Sequence, residues 1–235
     1  MISEVFNMDC MQGMKQYPDN YFELAIVDPC YGIGRDGQKK STGKHGGRKE
    51  YKFEGWDSKP PSKNYFNELF RVSKNQIIWG GNYFTKFLPA SMGWVFWDKG
   101  QRIKNSDGEL AFTSFSCALR VVEYNRCEIQ KIGGAIHPTQ KPVALYRWLL
   151  QNYAKKGDKI LDTHLGSGSS RIAANMEGFD FVGYELDKDY FDSSCKRFYE
   201  YKLQQKLWNG IEIDKNYYSV LTKRVPNEKL QTSLF

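Results

Sequence analysis

The stretch Lys159 to Ser170, KILDTHLGSGSS, decides the fold. A short apolar run ends in an acid, Asp162. A glycine-rich turn, Gly166-Ser167-Gly168, follows, and a helical pattern opens at Ser169 and runs to Glu177. Such a strand, turn and helix let a backbone come close to a ligand and set a helix N-terminus, which favours negative groups, beside it. Seventeen residues after Gly168, at the tip of the next apolar run (Asp180 to Tyr184), stands Glu185. An acid there typically takes a ribose by its hydroxyls. There is no GxGxxG, so a single nucleoside is favoured over a dinucleotide.

The same alternation extends in both directions. Glu23 to Val27, Gln76 to Trp79, Gly93 to Trp97 and Leu110 to Phe115 are short, β-branched or aromatic runs that suit buried strands. Ser62 to Val72, Lys141 to Ala154 and Lys188 to Leu207 carry helical patterns. Strands alternating with helices predict an α/β domain with a largely parallel, twisted sheet and helices on both faces. The 235 residues, 40% hydrophobic and 15% aromatic, suffice for a sizeable core. Five scattered cysteines form no CxxC pair and the three histidines lie far apart, so reduced thiols and no metal site are expected. No basic-then-apolar leader and no membrane-length apolar run is present, which points to a cytoplasmic protein.

Two more motifs carry chemistry. Asp28-Pro29-Cys30-Tyr31 ends the run Leu24 to Val27, where open α/β sheets bind ligands. Asp28 and the Pro29 carbonyl are able to accept both hydrogens of an amino group, and Tyr31 offers a stacking face. His137-Pro138-Thr139-Gln140-Lys141-Pro142 precedes a helix, with Thr139 as its expected cap and Pro142 in its first turn. Residues 34–61 are rich in Gly, Lys and Arg without apolar period. Arg35 to Lys52 holds seven Lys or Arg against two acids, and the whole chain has net charge +7, which fits a polyanionic partner. A tandem repeat closes the sequence: Gly183 to Trp208 and Gly210 to Phe235 agree at 11 of 26 positions. Glu212 lacks the spacing from the glycine turn that Glu185 has.

DPCY, HPTQKP, DTHLGSGS and GYELD, in that order, resemble the β class of amino-methyltransferases of bacteria and their phages. The resemblance covers most of residues 1–200, with a tail at 201–235. Asn7-Met8-Asp9-Cys10 looks like the family's opening, and Trp79-Gly80-Gly81-Asn82 and Trp97-Asp98-Lys99 like its middle motifs. The resemblance implies a circularly permuted, Rossmann-like methyltransferase fold with the catalytic half first. It implies S-adenosyl-L-methionine as cofactor and a base of double-stranded DNA, flipped from the helix, as substrate. Asp28, Pro29 and Tyr31 would then be catalytic, Tyr31 stacking on the base. Asp28, Asp162, His164, Gly166, Ser167, Gly168, Ser169 and Glu185 would hold the cofactor, with Asp9 on its adenine. His137, Thr139, Gln140 and Lys141 would close that pocket.

Two positions depart from the family pattern: Cys30 replaces a second proline, and His164 an aromatic. The acid in DPCY favours adenine N6, cytosine N4 being the alternative. Residues 117–136 would be the target-recognition region, with Arg120, Arg126 and Lys131 as contacts. That is small, so the basic segment, through Arg35, Lys39, Lys40, Lys44, Arg48 and Lys49, is expected to supply much of the DNA grip. Gln231 to Phe235 resembles peptides that dock on sliding clamps. A clamp and a second copy of the chain are thus further candidate partners.

Overall fold

Leu24, Ala25, Ile26 and Val27 are all buried, the first and third in one core and the second and fourth in another. A strand apolar on both faces belongs in the middle of a covered parallel sheet. In the computed structural model, which describes residues 1–37, 39–40, 50–53, 55–102, 106–125 and 135–208, β2 (Phe22–Val27) lies there. It pairs in parallel with β3 (Ser73–Trp79) on one side and β7 (Lys159–Asp162) on the other. The remaining strands are β1 (Ser3–Asn7), β4 (Trp94–Asp98), β5 (Gly108–Thr113), β6 (Arg120–Glu123) and β8 (Asp180–Glu185). The order is β1-β8-β7-β2-β3-β5-β4-β6, and among the described strands only β5 runs antiparallel to its neighbours.

Helices cover both faces. Tyr65, Phe66, Leu69 and Val72, spaced as one helical stripe, bury α2 (Lys63–Val72) against the face that also holds α1 (Cys10–Met14). The other face takes α3 (Val143–Tyr153), α4 (Ser169–Glu177) and α5 (Lys188–Trp208) through Leu145, Leu149, Ile172 and Phe198. No helix among the described residues is long and apolar enough to cross a membrane.

The chain leaves β7 for β8 in one direction and β2 for β3 in the other. The adjacent strands β2 and β7 therefore form a topological switch point, and a crevice opens at their carboxyl ends. Asp28 follows one of these strands and Asp162 ends the other. The expected fold is the observed one, with the cofactor half last in the chain.

Two local expectations change, and one segment gains an anchor. Thr139 does not cap α3: Pro142 occupies the N-cap position, because a residue before proline, here Lys141, is kept out of the helical region. The Thr139 N–H instead meets His137 Nδ1 at 3.3 Å. Within residues 117–136, Arg120 to Glu123 form the edge strand β6, so the room for target recognition is smaller still. Residues 34–61 are not loose at their base. The buried Asp57 accepts the N–H groups of Gly32 and Arg35, each at 2.7 Å, and the buried Asp36 accepts that of Gly55. Tyr51 donates to the Ala135 carbonyl at 3.0 Å, which ties this segment to HPTQKP.

Candidate active site

A cleft of about 1470 Å³ opens over the switch point. That exceeds the range of roughly 300–1,000 Å³ usual for one small ligand, and leaves room for two. One half centres on Asp28. Oδ1 accepts the Tyr31 hydroxyl at 2.7 Å, and Oδ2 meets Lys141 Nζ at 2.5 Å. Glu109, on β5, pairs with Lys141 at 3.0 Å and with Lys99 at 2.8 Å. Burial pushes the Asp28 carboxyl above the usual carboxylate range, against the pull of the Lys141 ammonium. Burial acts on Glu109 too, but two ammoniums, Lys141 and Lys99, outweigh it and hold that carboxyl at about 2. The Pro29 carbonyl accepts no hydrogen bond among the described residues. One face of Tyr31 stacks on Tyr83, with ring centroids 5.0 Å apart and planes at 16°.

The other half is built from the glycine turn. Gly168 stands left-handed (φ 71°) before α4 with Ser194 behind it, so a side chain there would be strained and crowded. Asp162 lies under the turn, accepting the His164 N–H at 3.0 Å and the Ser170 hydroxyl at 2.5 Å. Its burial raises the carboxyl to about 7. Glu185 accepts the N–H groups of Gly166 (2.8 Å) and Asp187 (2.9 Å). Because β1 pairs with β8, Asn7 opposite Glu185, Asp9 comes to the same wall. His137 packs on Tyr190 at 4.3 Å and on Trp56 at 5.4 Å. Burial lowers both His137 and His164 to about 4, so both rings are neutral at pH 7.

Most of the residues expected from sequence converge here. Asp9, Asp28, Pro29, Tyr31, His137, Thr139, Gln140, Lys141, His164, Gly166, Ser167, Ser169 and Glu185 line the cleft, as do Arg35 and Lys39 at its mouth. Asp162 and Gly168 do not line it; they shape the turn from behind. Lys141 is placed on Asp28 rather than beside the glycine turn. Lys40 is exposed beside Lys39. Arg120 is not brought to the cleft: β6 runs parallel to β4, so the strand's first residue lies at the end of the sheet away from the site. Lys44, Arg48, Lys49, Arg126, Lys131, Gln231 to Phe235 and the second repeat copy lie outside the described residues.

Sequence reasoning missed four residues. Glu109 is an acid set into an apolar strand. Tyr83 is exposed beside the pocket tyrosine, and Leu186, 72% exposed, follows Glu185 on the cleft wall. Arg197, buried on α5, donates to the Ser167 carbonyl and the Ser169 hydroxyl, both at 2.9 Å. The Lys-Arg pair shared by the two repeat copies was the available signal for it.

The family model for N6/N4 DNA methylases matches residues 78–196, just over half of the chain. The chain belongs to the N6/N4 DNA methylase family. It is an S-adenosylmethionine-dependent DNA amino-methyltransferase. Among curated relatives, a protein of Escherichia coli (strain K12) named as methylase YubD is 26% identical over 215 residues, covering 83% of this chain and 90% of the relative. The type II methyltransferase M.HpaI of Haemophilus parainfluenzae is 24% identical over 234 residues, covering 80% and 72%. Two solved structures share the fold. The M1.HpyAVI–SAM complex aligns with TM-score 0.54 at 14% identity, covering 84% of this chain and 99% of that one. The cytosine-N4-specific PvuII DNA methyltransferase aligns with TM-score 0.57 at 12% identity, covering 98% and 90%.

The cleft suits the cofactor's chemistry. Asp9 and Glu185 offer carboxylates to a nucleoside, and exposed Leu186 offers an apolar wall to a base. The N-terminus of α4, with Ser167 and Ser169, favours a carboxylate. Neutral His137 and His164 add no positive charge that would repel a sulfonium.

Proposed function

We propose that this methylase acts on adenine N6 in double-stranded DNA, with the target base turned out of the helix into the Asp28 side of the cleft. Enzymes that work on a base edge must take it out of the stack, and the cleft is deep enough to receive one beside a nucleoside cofactor. The observation that carries the reading is the pairing of the Asp28 carboxylate with the free Pro29 carbonyl at the switch point. Each carboxylate oxygen has two lone pairs, so Asp28 can take an amino N–H while keeping Tyr31 and Lys141. Both acceptors orient the amino nitrogen and draw its hydrogens away from the lone pair, so the chain's contribution is positioning and electrostatics. Bound S-adenosylmethionine supplies an electrophilic methyl group on a sulfonium. As the amino group becomes a methylamino group it loses one proton, and Asp28, as the acceptor of that N–H, is the adjacent carboxylate that takes it. The Tyr31 hydroxyl, raised well above 10 by burial, stays a donor.

Tritium transfer from labelled cofactor to DNA, followed by nucleoside analysis, tests this. N6-methyladenine is expected. N4-methylcytosine would move the target to cytosine, and absence of transfer to DNA would overturn the substrate.

Lys39 and Tyr51, which belong to the basic segment, both line the cleft. That supports the segment's contact with the DNA backbone. Replacing Lys39, Lys40, Lys44, Arg48 and Lys49 by alanine should weaken binding and flatten its salt dependence; unchanged binding would remove this role. The clamp reading of Gln231 to Phe235 rests on sequence likeness alone, and its deletion should abolish clamp binding while methylation continues.

A further inference from the structure

Lys141 Nζ sits among three oxygens: Asp28 Oδ2 at 2.5 Å, Glu109 Oε2 at 3.0 Å and the Tyr31 hydroxyl at 3.3 Å. Its side chain is 2% exposed, and its ammonium also lies 5.2 Å from the centre of the Trp79 ring. Glu109 turns its other oxygen to Lys99, which lies 5.3 Å from the centre of the Trp97 ring. The result is a chain of alternating charges, Asp28–Lys141–Glu109–Lys99, that sums to zero. Its members come from four separate places: the turn after β2, the HPTQKP segment, β5 and the end of β4. A buried ion network is weak evidence for stability, because apolar residues of equal volume commonly do as well. This one ends on the residue that must accept an amino hydrogen.

We propose that Lys141 is a positioning residue that keeps the Asp28 carboxylate charged and fixed toward the target amino group, and that Glu109, balanced by Lys99, sets the strength of that hold. Without a cation beside it, a carboxyl in this place would carry its own proton and cease to be an acceptor. The Asp28 proton affinity has several contributors. Lys141 faces it from the segment before α3, Tyr146 from α3, Tyr31 from its own turn, Glu109 from β5 and Asp162 from β7. Both tyrosine hydroxyls are raised far above neutral, so Lys141 and Glu109 are the contacts whose removal changes the charge on Asp28 most directly. They act in opposite directions. Loss of the ammonium raises the Asp28 carboxyl, and loss of the Glu109 charge lowers it.

The inference rests on the methyltransferase reading, and two readouts separate their failures. The first is a carbon-13 NMR titration of aspartate carboxyls in the cofactor-free protein, with D28N used to assign Asp28. K141M should move the Asp28 midpoint up by roughly one to three pH units and E109Q should move it down, while K141R should leave it near the parent value. The second is the acid limb of the kcat profile for methyl transfer, which should shift in the same two directions, K141R again rescuing. If both variants lower kcat while the midpoint and the acid limb stay put, Lys141 and Glu109 are only structural and the proposal falls. The near-isosteric E109Q carries the test alone if K141M does not fold, and a midpoint that rises or stands still in E109Q overturns it. Parent protein that shows the titration but transfers no methyl to DNA would overturn the substrate reading, while the control of the Asp28 charge by Lys141 and Glu109 would still be decided by the titration.

Discussion

Gly80→Ala probes how closely the pocket wall fits Tyr31. Gly80 is left-handed (φ 69°); its N–H donates to the Leu110 carbonyl and its own carbonyl accepts the N–H of Tyr83, both at 2.8 Å. A Cβ there would stand 2.2 Å from Tyr31 Cε1 and 2.6 Å from Cδ1 and Cζ. Carbon atoms prefer about 3.5–4 Å, so the ring must move by roughly 1 Å or the backbone must give. The left-handed conformation costs alanine about 1–2 kcal/mol. Overpacking adds about 1–3 kcal/mol. At about 2–4 °C per kcal/mol for a chain of this size, Tm should fall by roughly 4–20 °C. The ring cannot retreat freely, because its hydroxyl is held 2.7 Å from Asp28. A displacement of that order in a positioned group costs roughly 100-fold in rate. Thermal unfolding and single-turnover methyl transfer at saturating cofactor read both effects. A variant with Tm within ~2 °C of the parent and an unchanged rate would show that the wall is slack and the stated geometry wrong.

Other perturbations test the rest of the site. Asp57→Ala removes the acceptor of two backbone N–H groups, each bond to a charged partner being worth about 1.5–3 kcal/mol. Residues 34–61 should then be cut faster by protease and KM for DNA should rise several-fold, with cofactor affinity held; unaltered proteolysis would show that Asp57 does not anchor the segment. Asp162→Asn should change the pH dependence of stability. The folded carboxyl, at about 7, binds its proton more tightly than the unfolded one, at 3.8. That contribution is complete at low pH and is lost as pH rises through 7. Asparagine does not titrate, so its Tm relative to the parent should improve from pH 5 to pH 8, and a constant difference would contradict the burial of this acid. Arg197→Met removes both hydrogen bonds that fix Ser167 and Ser169, and calorimetry should show cofactor affinity about 10-fold weaker, the equivalent of about 1.4 kcal/mol. Unchanged affinity would mean the turn holds its shape unaided.

The cofactor half and the acid of DPCY were legible because their chemistry is local. A strand, a glycine turn and a helix start within ten residues, and each residue type has a backbone reason to be there. Glu109 was not legible, because its meaning depends on register. Pairing of β4 with β5 sets Trp97 opposite Glu109 and so brings Lys99 to it, and the HPTQKP segment must arrive from elsewhere in the chain before Lys141 meets both. The predicted strand began at Leu110 for the same reason: an acid at its edge reads as the polar end of an apolar run. Asp36 and Asp57 were hidden by their surroundings, since acids in a basic, glycine-rich stretch look solvated until the backbone N–H groups they accept are in view.

The tandem repeat gains its meaning from the same comparison. The first copy supplies the cleft with Glu185, with Asp187, which accepts the N–H groups of Asp189 and Tyr190 at the start of α5, with Tyr190 against His137, and with Arg197 behind the turn. All four recur in the second copy, as Glu212, Asp214, Tyr217 and Arg224. The side chains that bury α5 do not recur: Phe191, Cys195, Phe198 and Tyr201 correspond to Tyr218, Thr222, Val225 and Glu228. Pro226 corresponds to Tyr199, inside α5, where proline removes a backbone hydrogen bond and clashes with the preceding turn at a cost of about 3 kcal/mol. A charged residue in place of buried Tyr201 adds a desolvation cost. The second copy thus keeps the residue types that serve the cleft while lacking those needed to pack as α5. Glu185, which has the spacing from the glycine turn that Glu212 lacks, is the acid placed on the cleft wall.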